Sequence, residues 1–123
     1  MVNVKYLLQR MLEHCTALQS DVTGYCFDSF LSDSKTQRAA YMSLHQIGEL
    51  AGRLPTAFRI RHEDVPWSGI RQVRNIISHE YIRIDLAVVW GTITDDIPPL
   101  MGALTDILLA IHAGNEPVEY EKD

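Results

Sequence analysis

An all-α fold, a helical bundle of four to five helices, is what three observations predict. Apolar residues recur at three- and four-residue spacing through most of the chain, no segment alternates with period two, and helix-start and helix-stop residues punctuate the pattern. At 123 residues and 46% hydrophobic, the chain can bury one substantial core and is short for two. With 22% charged residues and no long Ser, Gly or Pro run, the composition is globular. The expected organisation is one helical domain over 1–114 followed by a polar C-terminal tail, 115–123, that frays.

Val4, Leu7, Leu8, Met11, Leu12, Cys15 and Leu18 make 3–20 an amphipathic helix. A short second helix over 25–31 would bury Phe27, Phe30 and Leu31. In "SDSKTQ", Ser34 stands three residues before Gln37, the spacing of a capping box, so a third helix is expected from Lys35 to Arg53 with Pro55 closing it. Its Gly48 and Gly52 would let a neighbour approach closely. Residues 56–65 read as a polar, basic connection. Pro66 then sits near the first turn of a fourth helix reaching Tyr81, where a missing N–H matters least. Asp85 is the expected N-cap of a last helix from Leu86 to Ala113, kinked at Pro98-Pro99.

The net charge of −5 is unevenly spread. Between 53 and 83 stand six arginines against Glu63, Asp64 and Glu80, a local +3, while the remainder holds five basic residues against thirteen acids. A basic centre in an acidic chain suits a localised anion site rather than broad coating of nucleic acid. Cys15 and Cys26, with no signal-like apolar stretch, point to a reducing, cytoplasmic setting in which both stay thiols. No apolar run approaches the roughly 20 residues that cross a bilayer, so no membrane partner is expected.

The informative stretch is "RQVRNIISHEYIRID", 71–85. At about 100° per residue, Ile70, Val73, Ile76 and Ile77 share one side and Arg71, Arg74, Asn75, Ser78 and Ile82 the other, with His79 flanking the polar side and Tyr81 nearly in register with Arg74. That side lacks the Glu and Lys that fill a merely solvated face. A guanidinium holds phosphate bidentately, and a histidine with an ordinary pKa near 6.5 moves protons at neutral pH. RNA brings its own nucleophile, the 2′-hydroxyl, so such a pair needs no metal. Arg74 and His79 project about 140° apart, however, and two copies about a two-fold axis would make the better pocket.

"IGELAGRL" (47–54), "VPWSGIRQVRNIISHEYIRID" (65–85), "VW" (89–90) and "DIPPL" (96–100) occur together and in order. In that set the chain resembles the HepT-like ribonuclease toxins of the HEPN superfamily, with the R-x4-H-x-Y motif, over roughly 3–112. The resemblance implies an all-helical, HEPN-type homodimer with a composite cleft, acting as a metal-independent endoribonuclease toxin in a toxin–antitoxin pair. It also implies a minimal nucleotidyltransferase antitoxin that silences the toxin by moving AMP from ATP to the motif tyrosine. By position Arg74 and His79 would be catalytic, Asn75 would support them, and Tyr81 would be modified. Arg71 and Ser78 on the same face, and Arg83 further along the chain, are candidates for binding RNA phosphate.

Plainer roles compete with these. Trp67 and Trp90 suit packing better than base stacking, and Tyr81 alone would suit a helix-end ring with a wet hydroxyl. His14, His45, His62 and His112 have no metal-ligand spacing and the glycines form no phosphate loop, so no metal or other cofactor is assigned. The alternative function is a catalytically silent helical partner, or substrate subunit, of a nucleotidyltransferase.

Overall fold

The structure, a computed structural model, describes residues 1–78 and 84–123. It is all-α apart from one two-residue strand pair. Helix α1 (Val4–Asp21) starts where the Asn3 side chain accepts from the Tyr6 N–H at 2.9 Å. Its stripe of Val4, Leu8, Met11, Cys15 and Leu18 is fully buried, against α3 (Ser34–Ala51) and α7 (Ile97–His112). Short α2 (Phe27–Leu31) delivers Phe30, whose ring lies 5.1 Å from that of Trp90. Both tryptophans are packing residues: Trp67 is buried 5.6 Å from Phe58 and donates its indole N–H to the His62 carbonyl at 2.9 Å. Both cysteines are free thiols, and burial pushes that of Cys15 up to about 12.

The start of α3 corrects the capping assignment. Asp33, not Ser34, is the N-cap; Ser34 is already helical. The Asp33 carboxylate accepts from the Thr36 N–H at 3.0 Å, from the Thr36 hydroxyl at 2.9 Å and from the Tyr25 hydroxyl. A hydroxyl could not satisfy so many donors. Gln37 turns away from the cap and donates to the Phe30 carbonyl at 2.8 Å.

The far end of α3 also differs from expectation. The helix stops at Ala51 with Gly52 as C-cap, and Pro55 begins the next helix rather than closing this one. That next helix, α4 (Thr56–Arg61), lies where a connection was expected. It spans too few residues to show a period, and its one anchor is buried Phe58. Its free N-terminal amide is capped from the other end of the chain: Asp123 accepts from both the N–H and the hydroxyl of Thr56 at 2.9 Å. The tail expected to fray is therefore tied down. Glu119–Tyr120 (β2) pairs antiparallel with Val2–Asn3 (β1), and the Tyr120 ring meets Phe58 edge-on at 5.5 Å.

Helix α5 (Trp67–Ser78) follows Pro66, whose carbonyl accepts from Ile70. Asp85 caps α6 (Leu86–Gly91) as expected, accepting from Ala87 and Val88. The expected proline kink takes the form of a π-helical turn, Thr92–Asp96, between α6 and α7. Pro98 and Pro99 lack the N–H groups that would bond back to residues 94 and 95. The ladder widens just before them, and Ile97 N–H reaches Thr92. No helix among the described residues is long and apolar enough to cross a membrane.

Two outcomes follow. A Cβ at Gly48 would sit 2.9 Å from both Cβ and backbone N of Arg74, so Gly48→Ala should destabilise by about 1–3 kcal/mol. A Cβ at Gly102 meets nothing within 4 Å, so Gly102→Ala should stabilise by about 1 kcal/mol; urea unfolding of the pair checks both. The hydrogen bond from Tyr25, with those from Thr36, holds the Asp33 carboxyl down at about 2 from the ordinary 3.8. Its contribution to stability is present above about pH 4 and lost as pH falls toward 2. Tyr25→Phe should therefore lower the urea midpoint at pH 6, with the gap to the parent closing by pH 2.

Candidate functional site

The side of α5 that carries Arg71 and Arg74 is not turned away from the protein. The backbone of α5 lies directly on α3: the position of a Gly48 Cβ falls 2.9 Å from Arg74 Cβ and N and 3.2 Å from the Arg71 carbonyl oxygen. Any other residue at 48 would hold the helices apart. One turn on, Arg71 Nε and Arg74 Nη1 each stand 3.5 Å from the point a Gly52 Cβ would occupy. The two glycines of "IGELAGRL" thus let one helix be laid on another and leave room for two guanidiniums to converge at the C-terminal end of α3. The partial negative charge of that helix end favours cations there.

Arg74 is half-buried and its Nη1 donates to Glu49 Oε1 of α3 at 3.1 Å. Its Nε and Nη2 have no hydrogen-bond partner among the described residues. Arg71 is exposed and forms no ion pair among the described residues. Asn75 is exposed on the next turn, and Ser78 is the last residue of α5. The remaining expected site residues, His79, Tyr81 and Arg83, lie outside the described residues. What the fold brings together is Arg71, Arg74 and Glu49: two cations and one acid, a net positive corner able to hold a phosphate.

Glu49 was not singled out from the sequence. Its signal was its place between Gly48 and Gly52, since an acid between two contact glycines on α3 faces whatever helix those glycines admit. Val73, expected in the core beside Ile70, is only half-buried. It lines a cavity of about 420 Å³ between α5 and α7 whose floor includes Ile70, Leu100 and Ala103. That hollow is roomy but chemically wrong for RNA, because the charged groups around it are Asp64, Asp95 and Asp96.

Fold and site together define an all-α protein in which two arginines are brought together against a glycine-bearing helix. Comparison with known proteins gives that class its family. The family described as "Ribonuclease HepT-like" matches residues 11–107. "Putative RNase TTE0752" of Caldanaerobacter subterraneus is 37% identical over 101 residues, covering 82% of this chain and 90% of the relative. "Probable ribonuclease HepT" of Thermococcus cleftensis is 34% identical over 98 residues, 80% of this chain and 89% of the relative. No solved structure matches the chain at a comparable level. The chain belongs to the HepT-like ribonuclease family.

The Glu49–Arg74 pair is partly exposed, with 38% and 29% of the side chains accessible. It should therefore stabilise the fold by no more than about 1 kcal/mol. A double-mutant cycle with Glu49→Gln and Arg74→Gln, read by urea unfolding, measures that coupling.

Proposed function

We propose that this protein is a metal-independent endoribonuclease toxin. The observation that carries the reading is the convergence of Arg71 and Arg74 over Gly52, on the helix whose sequence runs on into His79. In this reading Arg74, aided by Arg71, Ser78, Arg83 and Asn75, holds the scissile phosphate. His79 moves the proton as the 2′-hydroxyl attacks phosphorus and the 5′-oxygen leaves. The guanidinium, charged at any working pH, stabilises the oxygens on which charge builds. The products would be a 2′,3′-cyclic phosphate and a 5′-hydroxyl.

Helical spacing places positions 74 and 79 about 140° apart, so a two-fold homodimer presenting two such helices to one cleft completes the site. A minimal nucleotidyltransferase antitoxin would transfer AMP to Tyr81, two residues past the histidine. That adds a phosphate and a base where RNA must lie and sets a like charge against the substrate. The family resemblance supports this regulation, and the reducing interior expected for free thiols suits it.

The reading is tested on unmodified protein with mixed-sequence single-stranded RNA in excess EDTA. Fragments ending in cyclic or 3′-phosphate are expected, with cleavage falling about 10²–10⁴-fold in His79→Ala. Mixing Arg74→Ala chains with His79→Ala chains should restore about a quarter of the parent rate, because half of the dimers would carry one intact composite site of two. Intact RNA, from protein whose mass shows no AMP, would favour instead a silent helical partner of a nucleotidyltransferase.

A further inference from the structure

The Glu49–Arg74 contact joins two helices at the one corner where cations gather, and its geometry is specific about which edge of the guanidinium it uses. Arginine presents two forks to an oxyanion: an end-on fork formed by Nη1 and Nη2, and a side-on fork formed by Nε and Nη2. Glu49 Oε1 takes Nη1 at 3.1 Å, an atom that the side-on fork does not use. The side-on fork is left without a partner among the described residues, beside Arg71.

The helices that carry the pair cannot slide apart cheaply. Gly48, next to Glu49 in sequence, is in backbone contact with Arg74 itself. The acid and the arginine are therefore held in register by the packing, and the ion pair orients a guanidinium whose stem is already placed. A free arginine side chain loses rotamer freedom on meeting a phosphate. One already held by a second helix loses less.

We infer that Glu49 is a positioning residue for the ribonuclease reaction, fixing Arg74 so that its Nε–Nη2 fork faces the scissile phosphate. The inference rests on the proposed function and adds a residue to it. Glu49 acts through Arg74 and does not touch RNA. Its carboxylate also competes with phosphate for the Arg74 guanidinium, so through Arg74 it opposes ground-state binding while it orders the group that stabilises the transition state. Those two effects have opposite signs. Loss of the carboxylate should slow turnover and at the same time tighten RNA binding.

Steady-state cleavage of a short single-stranded RNA by the full chain separates the terms. Glu49→Ala should lower kcat about tenfold or more and lower KM, whereas a merely unfolded fraction would lower apparent kcat and leave KM unmoved. Glu49→Gln, which keeps an acceptor oxygen at the same reach, should recover most of kcat and retain the lowered KM. Binding of the same sequence with 2′-deoxy sugars, followed by fluorescence anisotropy, needs no cleavage. There Glu49→Gln should tighten the complex in the parent and change it less than about twofold when Arg74 is already Ala, because an effect exerted through a missing partner disappears. Parent-like kcat and KM in Glu49→Ala would overturn the inference and leave the proposed function standing. An equal effect of Glu49→Gln with and without Arg74 would overturn it as well. Failure of the parent itself to cleave or bind RNA would instead strike the proposed function.

Discussion

The contact between α3 and α5 through Gly48 is the constraint on which the rest of this structure depends. Backbone N and Cβ of Arg74 fill the volume that a methyl group at 48 would need. Because α3 also packs on α1, and α1 on α7, the position of the arginine-bearing helix is set by the whole core and not by a surface loop. The N-terminal end of α5 is fixed independently: Trp67 is buried against Phe58 and its indole bonds the His62 carbonyl. Phe58 in turn is covered by Tyr120, whose strand is paired to the start of the chain. Both chain ends therefore support the helix that carries the site.

An acidic protein that handles RNA must solve an electrostatic problem, and here it is solved by partition around one helix. On the side facing α3, Arg74 pairs with Glu49 while Arg71 stands nearby with no ion pair among the described residues. On the side facing α7, the hollow beside Ile70 and Val73 is flanked by Asp64, Asp95 and Asp96, none paired to a cation among the described residues. With a screening length near 8 Å at physiological salt, a polyanion approaching α5 responds to the nearer side and hardly to the net charge. The family assignment and the charge pattern thus agree, although a net charge of −5 taken alone argued otherwise.

What could be read from the sequence followed from long periods and strong punctuation. Helix α1 shows its stripe over eighteen residues, Asp85 stands before an apolar run, and Pro98-Pro99 announce a break whose π-helical form only the backbone reveals. The glycines of α3 advertised a close neighbour, and one was found. The misreadings were of interactions between residues remote in sequence or too few to show a pattern. Asp33 outcompeted Ser34 because Tyr25 and Thr36 offered it additional donors, which spacing alone does not encode. Helix α4 has a single buried anchor and a cap from Asp123, sixty-seven residues away. Glu49 stood inside a quoted motif, yet only the crossing of two helices gives it Arg74 as a partner. Of the candidate site, residue types and the bearing helix were legible; the acid that shapes the site was not.

The same crossing bears on why the sequence spaces its arginine and histidine five residues apart. A residue pressed against α3 gains orientation but loses reach, since α3 covers part of its surroundings. By helical spacing, position 79 falls about 140° from Arg74, away from that contact. In the proposed reaction the first group would bind phosphate and the second would transfer the proton, where water and substrate must come and go. A single flat helix face would put both in the same environment and press both against α3. By that spacing the histidine would stand clear of the packing that orients Arg74, and in the proposed two-fold arrangement the missing angle would be supplied by the partner's copy of the same helix. In such a dimer the five-residue interval would let one group be fixed by the fold and its counterpart be shared across an interface.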